Sequence, residues 1–130
     1  MALAIEDMEH VCHAVDADEV EEALNSRYEG EVNEFWLNHD DERFPALAIV
    51  VKGDLASLTY FPDGGHPGYK SMGGVDGLEL GEFSAFSVNT PRERHLVLND
   101  SIVPFSTALK AAKEFLADRG LPRSVEWVEL

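Results

Sequence analysis

A cluster of side chains that could bind a metal lies near the start of the chain: Glu9, His10, Cys12 and His13. A zinc site needs a second ligand pair at a workable distance, and no other histidine has a Cys or His spaced beside it. Cys12 next to His13 could also form a nucleophile and base, although neighbouring side chains seldom point at one another productively. The favoured interpretation is a polar segment that leads into the first helix, with a metal site as the alternative.

The acidic run Asp40, Asp41 and Glu42 could bind a divalent cation or act as acid and base. An EF-hand loop needs alternating ligands with a glycine at its sixth position and a glutamate at its twelfth, and this pattern is absent. A solvated acidic turn is therefore the favoured interpretation.

Two glycine pairs, Gly64-Gly65 and Gly73-Gly74, could in principle cradle a phosphate. Neither pair is followed by Lys-Ser/Thr or by a helix start, so the phosphate interpretation is disfavoured. Ser71 with His66 could be a nucleophile and base, but no Gly-x-Ser-x-Gly elbow is present. We therefore predict a protein that is not an enzyme and has no metal or cofactor.

The elements that position these residues are clearest at the end of the chain, where the apolar residues of an amphipathic helix recur from Phe105 onward. Its apolar residues follow a three-then-four spacing: Ala108, Leu109, Ala112, Phe115 and Leu116. Pro104 suits the first helical position, and Arg119, Gly120 and Pro122 indicate where the helix stops. Residues 124–130 then predict a strand with Val125 and Trp127 on one face.

The first helix is predicted to begin at Asp16, which forms an Asp-x-x-Glu capping box with Glu19. The predicted buried face consists of Ala17, Val20, Leu24 and either Arg27 or Tyr28. Gly30 is the expected end of this helix. Residues 2–5 before it are expected to form a short strand.

Between the two helices the sequence predicts short strands separated by turns. The predicted strands are residues 34–38, 46–52, 55–61, 69–72, 82–88 and 94–98. Gly53-Asp54 suits a tight hairpin turn, and we expect this hairpin at the centre of the sheet. Residues 1–130 are therefore predicted to form a single α+β domain, with an N-terminal and a C-terminal helix packed on a mainly antiparallel sheet.

The composition is strongly acidic, with 25 acidic and 10 basic residues and a formal net charge of -15. Fourteen of the acids and a single base, Arg27, fall within residues 1–42. Such a charge repels nucleic acid and anionic membranes and attracts basic partners, although it could also serve solubility alone. The chain has no apolar run long enough for a bilayer span or a signal peptide, so we expect a cytoplasmic protein.

The closing segment also resembles a known family. The run Val-Pro-x-x-x-Ala-x-x-Ala-Ala-x-x-Phe-Leu-x-x-x-Gly-x-Pro-x-x-Val-x-Trp, from Val103 to Trp127, is similar to the C-terminal signature of the Immunity protein 1 family of bacterial polymorphic-toxin systems. Pro45-Ala-Leu-Ala-Ile49, Thr59-Tyr60 and Tyr69-Lys-Ser-Met-Gly73 resemble its central hairpin and the strand that follows. The resemblance implies an immunity protein that neutralises a cognate toxin, either a nucleic-acid deaminase or another enzyme that targets nucleic acid.

Loop position and charge, rather than the family motif, predict the residues that contact this basic toxin. These are Asp40, Asp41, Glu42, Asp63, His66, Tyr69, Asp76, Glu79 and Glu82. His66 and Tyr69 have an alternative role, which is to tether their loop to the domain. The alternative function is a small-ligand protein or enzyme, with a pocket between the C-terminal helix and the sheet and with His66 and Asp63 as its polar groups.

Overall fold

A computed structural model describes residues 2–130 of the chain. Its strands and helices, in chain order, are β1 (Leu3–Glu6), β2 (Val11–Ala14), α1 (Ala17–Leu24), β3 (Val32–His39), β4 (Ala46–Lys52), β5 (Leu55–Phe61), β6 (Tyr69–Met72), β7 (Phe83–Ser87), β8 (Arg94–Leu98), β9 (Ile102–Pro104), α2 (Phe105–Ala117) and β10 (Glu126–Glu129). This confirms the α+β class that the sequence predicts.

The strands form one large antiparallel sheet in the order β10-β6-β5-β4-β3-β1-β2, and β9 pairs with one end of β5. β4 and β5 pair along their whole length, from Ala46 opposite Phe61 to Lys52 opposite Leu55. The hairpin around Gly53 is thus central, as the sequence predicts. β7 and β8 do not join this sheet but pair with each other as a separate hairpin.

Both helices cover the same face of the large sheet. The inner side chains of α2, Ala108, Ala111, Ala112 and Phe115, have no exposed area. They meet every second residue of the central strands, such as Leu47 on β4 and Leu58 on β5. This is the core that the spacing in α2 predicts, because residues three and four apart lie on one side of a helix.

The β7–β8 hairpin covers part of the opposite face of the sheet. Phe86 and Val97 point inward from the hairpin and form a second, smaller core with Ile102 and the partly buried Val50 and Leu55. The sequence could not predict this arrangement, because a two-stranded hairpin and two more strands of the main sheet have the same alternating pattern.

The predicted end of the first helix at Gly30 is wrong, because α1 ends at Leu24 and Asn25 caps it. Asp16 does accept a hydrogen bond from the Glu19 amide at 2.8 Å, so the predicted start is confirmed. Arg27 lies outside the helix, where its guanidinium donates to the Leu24 carbonyl at 2.6 Å. The last carbonyls of a helix have no partner within the helix. Here the Arg27 side chain donates to one of them, whereas after a left-handed glycine the following backbone amides would do so.

The segment before α1 is a strand, β2, rather than only a polar lead into the helix. It pairs with β1 from Leu3 opposite Ala14 to Glu6 opposite Val11. The turn between these strands is held by Asp7, whose carboxylate accepts hydrogen bonds from the Glu9 and His10 amides at 2.8 Å. Burial alone would raise the pKa of Asp7, but the hydrogen bonds it accepts lower it overall.

Both predicted ends of the closing helix need correction. Pro104, the expected first helical residue, is extended, ends β9 and serves as the N-cap of α2. α2 ends at Ala117, so Arg119 lies beyond the last turn, and Gly120 does not adopt a left-handed conformation. The backbone turns instead around Asp118, whose carboxylate accepts a hydrogen bond from the Gly120 amide at 3.0 Å. The terminal strand carrying Trp127 is confirmed: it pairs with β6, and Trp127 opposes Ser71.

His39 at the end of β3 should make the stability of the fold depend on pH near neutrality. Its ring is 1% exposed and lies 4.9 Å from the Phe115 ring between centroids, and burial lowers its pKa. The unfolded chain therefore takes up this proton at higher pH than the folded chain does. Stability from neutral His39 is complete above the unfolded pKa of about 6.5 and is lost as the pH falls below it.

Urea unfolding of the wild type and of His39→Leu, at about pH 7.5 and about pH 5.5, measures this contribution. We expect the wild type to lose more of its free energy of unfolding than the variant does between the two pH values. The variant keeps the other four histidines, so the comparison isolates His39. Equal losses in the two proteins would contradict the prediction.

Candidate partner-binding surface

The acidic run Asp40, Asp41 and Glu42 lies exposed in the turn between β3 and β4, and each of its carboxylates has a partner. The Asp40 carboxylate lies 2.8 Å from Nδ1 of His13. Arg119 donates two hydrogen bonds to Asp41, at 2.9 and 3.1 Å, and also pairs with Glu42. The Arg119 guanidinium lowers the pKa of Asp41. This acidic turn therefore fastens the segment after α2 to the sheet, and part of its charge is compensated.

His66 and Tyr69 hold the loop after β5 against the terminal strand. Their rings stack with centroids 5.0 Å apart, and Nε2 of His66 lies 2.8 Å from the Glu129 carboxylate. Nδ1 of His66 accepts the Gly68 amide at 2.8 Å, which assigns the proton to Nε2 and makes that atom the donor to Glu129. These contacts support the tethering role. Asp63, exposed in the same loop, accepts a hydrogen bond from the Gly65 amide at 2.8 Å.

Asp76, Glu79 and Glu82 lie exposed in the loop that leads into β7. The backbone beneath them is fixed by the buried Asn99, which donates to the carbonyls of Glu79 and Glu82 at 2.8 and 2.9 Å. We call these three residues the loop acids. Their carboxylates face solvent from a well-anchored backbone, which suits contact with a partner.

The nine residues predicted to contact a partner fall in separate places. Asp40 to Glu42 and Asp63 lie at the end of the sheet where β4 begins and β5 ends. The loop acids belong to a segment whose Leu78 packs near Leu55 and the Gly53 turn, at the opposite end. The structure thus does not bring all nine together on one surface.

The outer face of the β7–β8 hairpin carries an exposed apolar patch that the sequence prediction missed. Phe83 lies opposite Leu98, and the next outward position on β8 is Leu96. Their exposed fractions are 59% for Phe83, 65% for Leu96 and 40% for Leu98. We call these three residues the hairpin patch. Glu82 directly precedes it in the chain, so one end of the patch has an acidic rim.

Contiguous exposed apolar patches with a polar rim mark sites of interaction with other proteins. The alternation in residues 82–88 and 94–98 was a usable signal, because an isolated hairpin cannot bury both of its faces. Which face would be left exposed depended on how the hairpin packs on the sheet.

Beside the hairpin, the face of the sheet opposite the helices holds an open groove of about 270 Å³. On one side of the groove Trp36 and Phe61 stack across β4, with ring centroids 5.7 Å apart. They meet because their neighbours on the intervening strand, Ala48 and Ala46, are small. His95 from β8 lines the other side. Trp36 is 40% exposed on this open face of the sheet.

Lys70 on β6 brings a positive charge into this groove. Its Nζ donates to Oγ1 of Thr59 at 3.1 Å. Burial of the ammonium lowers the pKa of Lys70 to about 8, so the group is still charged at neutral pH.

The early cluster of possible metal ligands is dispersed. His10 lies 3.0 Å from the Tyr28 hydroxyl, whereas His13 pairs with Asp40. Cys12 and His13 are consecutive on β2, so their side chains point to opposite faces of the strand. Within residues 2–130, no three His, Cys, Asp or Glu side chains converge well enough to hold a metal ion.

The space between α2 and the sheet, where a small-ligand site was the alternative, is filled by the buried side chains of α2 and the central strands. Asp63 and His66 lie outside it, in the loop after β5. Neither helix in the part of the chain that the structure describes has the length and apolar character to cross a bilayer.

Comparison with known proteins identifies the relatives of this chain. The family model described as Immunity protein Imm1 matches residues 6–129. A protein of Burkholderia cenocepacia (strain H111), described as a double-stranded DNA deaminase immunity protein, is 29% identical over 119 residues. That alignment covers 89% of this chain and 93% of the relative. Because the family model spans nearly the whole chain, this protein belongs to the Imm1 family of immunity proteins.

Proposed function

We propose that this protein binds a nucleic-acid deaminase toxin and neutralises it without catalysing a reaction. The observation that carries the proposal is the match to the Imm1 family over residues 6–129. The deaminase is suggested by the Burkholderia relative, which is described as a double-stranded DNA deaminase immunity protein. We place the encounter in the cytoplasm, where such a toxin meets its substrate.

The charge of the protein supports this choice of partner. An enzyme that grips nucleic acid presents a basic surface to the phosphate backbone. A domain with a formal net charge of -15 is attracted to that surface and competes with the nucleic acid for it. Complementary charge of this kind raises the association rate more than it raises the affinity.

We assign the centre of the contact to the hairpin patch and its rim to the loop acids. Protein interfaces combine a well-packed apolar centre with a polar rim, and large side chains near the centre supply most of the binding energy. Phe83, Leu96 and Leu98 supply the apolar side chains, and Glu82 joins them directly to the acidic loop. The occupant is therefore a basic protein that offers an apolar depression to Phe83.

A direct test is affinity capture of the toxin from the source strain by this chain, with the retained proteins identified by mass. The captured enzyme is then assayed for deamination of double-stranded and single-stranded DNA, with and without added immunity protein. Capture of one deaminase whose activity is abolished at equimolar immunity protein supports the function. Capture of only scattered basic proteins that are released by moderate salt would refute it.

Two acidic groups with the same charge can be compared to locate the contact. One variant carries Asp40→Asn, Asp41→Asn and Glu42→Gln, and the other carries Asp76→Asn, Glu79→Gln and Glu82→Gln. We expect both to slow association with the toxin at low salt, and the loop-acid variant to slow it more, by about tenfold. The first three acids have less effect because Arg119 already compensates part of their charge.

Stopped-flow association rates over a range of salt concentrations measure this difference, and the two variants serve as each other's control. The slowing should shrink as salt rises, since screening weakens attraction between exposed charges. An unchanged association rate at low salt would remove the corresponding acids from the contact surface.

A further inference from the structure

The position of Lys70 is unusual for a basic residue in so acidic a protein. It stands on the face of the sheet that the helices leave open, between Thr59 on β5 and Val128 on β10. Its side chain is half-buried and lines the groove whose far side is formed by the Trp36–Phe61 stack. Lysine normally keeps its ammonium fully in water, so a half-buried lysine in an open groove needs a reason.

The protein itself supplies one side-chain acceptor to the Lys70 ammonium. The ammonium has three N–H donors, and Thr59 accepts one of them. None of the ion pairs formed among residues 2–130 includes Lys70. Glu34, the acid that lines the groove, instead accepts a hydrogen bond from the Asn89 amide at 3.0 Å, and it lies three strands away from Lys70.

We propose that this groove is a carboxylate-binding site that receives an Asp or Glu side chain of the toxin, with Lys70 donating to the carboxylate and the Trp36–Phe61 stack covering its apolar stem. The assignment rests on the proposed function, because the toxin is the occupant. It differs from the acidic contacts described above, since here the immunity protein supplies the positive charge. Pairing at Lys70 would also fix the orientation of the toxin on the sheet.

A carboxylate fits this groove better than a nucleic-acid phosphate does. Among the described residues that line the groove, Lys70 is the only lysine or arginine. One ammonium cannot offset the repulsion between a polyanion and a domain of formal charge -15. A single carboxylate on a basic protein meets one ammonium at short range, while the rest of that protein is attracted to the acidic surface.

The test compares Lys70→Met with Lys110→Met in binding to the captured toxin. Both variants lose one positive charge, and Lys110 is exposed on α2, which covers the other face of the sheet. General attraction between an acidic inhibitor and a basic toxin would make both variants bind the toxin equally or slightly better. We expect Lys70→Met to bind at least about tenfold more weakly, because a charged hydrogen bond is lost and the toxin carboxylate stays unpaired.

A second measurement does not need the toxin. The probe is 3-phenylpropionate, titrated at millimolar concentration while the two tryptophan indole N–H signals are followed by NMR. We expect a shift of the Trp36 signal that is absent in Lys70→Met and absent with the cation phenethylamine. The Trp127 indole is the internal control, because it donates to the Pro122 carbonyl at 2.9 Å.

The outcomes separate this inference from the proposed function. If the wild type binds the toxin and Lys70→Met binds as well as Lys110→Met, the groove inference is overturned and the function stands. If the wild type binds no deaminase, the proposed function is wrong, and the 3-phenylpropionate titration then tests the groove inference. A Trp36 shift that requires Lys70 then supports a carboxylate site with another occupant, and the absence of any shift overturns the inference. Lys70→Met keeps the apolar stem, so we expect it to fold normally.

Discussion

Replacing Gly73 with alanine is expected to destabilise the fold by about 3 kcal/mol or more, although the change adds a single methyl group. A Cβ atom at this position would lie far inside van der Waals contact with the Ile102 carbonyl and 2.8 Å from Cγ1 of Val103. The backbone cannot move away freely. The Gly73 amide donates to the Asp100 carbonyl at 2.7 Å, and Ile102 is paired with Ser57 on the central strand β5.

Gly65→Ala is the matched control for this prediction. A Cβ at Gly65 would meet only the Asp63 carboxylate, at 3.5 Å, which is ordinary contact distance. We therefore expect Gly65→Ala to change the free energy of unfolding by less than about 0.5 kcal/mol. Urea unfolding of the three proteins measures both effects. Equal midpoints for Gly73→Ala and the wild type would show that the segment after β6 does not pack on β9 as described.

The double variant Phe83→Ala, Leu96→Ala is expected to weaken binding to the toxin by about 100-fold and to leave folding intact. Side chains at the centre of an interface cost about 2 kcal/mol or more each when truncated, although such effects are not additive. Both residues are more than half exposed in the free protein, so truncation removes little buried area. Their inward-facing neighbours Phe86 and Val97 keep the hairpin on the sheet.

Val15→Ala with Leu121→Ala serves as the control, because these residues are also exposed, at 62% and 38%, but lie away from the hairpin. Isothermal titration with the captured toxin gives the affinities, and thermal unfolding checks that all variants fold. The hairpin patch is not the binding centre if both double variants bind the toxin equally well. A large loss in the control instead would move the contact toward the edge near β2 and the segment after α2.

The sequence predicted well those elements that local pattern decides. The strand pair around Gly53 and the closing amphipathic helix are confirmed, because a turn signal between two β-rich runs and a three-then-four apolar spacing each specify one structure. Asp16 likewise caps α1 as its capping box predicts. In each case the residues that form the element also carry the information that specifies it.

The errors occur where the partner of a residue is distant in the chain. Residues 11–14 look like a polar lead into a helix, yet they form β2 because β1 offers an edge with which to pair. Arg119 looks like a cation in the last turn of a helix, yet it pairs with Asp41 and Glu42, nearly eighty positions earlier. Neither partner can be identified from the spacing of neighbouring residues.

The predicted contact residues show the same limit. Loop position and charge selected residues that are at or near the surface. Two of them already have hydrogen-bond partners within the protein, because His66 bonds to Glu129 and Asp40 bonds to His13. Lys70 was overlooked because a single lysine in a strand has no local signature. Only the tertiary structure suggests a binding role for Lys70. It places the ammonium next to Thr59, in the groove formed by the Trp36–Phe61 stack, and none of the ion pairs of residues 2–130 includes it.

By itself the sequence determined the α+β class, the acidic character and the central hairpin, because composition and short-range periodicity are properties of the chain alone. The resemblance of residues 103–127 to the immunity family comes separately, from the match of those residues to the family motif. Tertiary structure decided which face of the sheet the helices cover, where the β7–β8 hairpin lies, and hence which apolar and charged groups stay open to a partner. The physical reason is that exposure is set by what packs on a residue, and the groups that pack together here come from opposite ends of the chain.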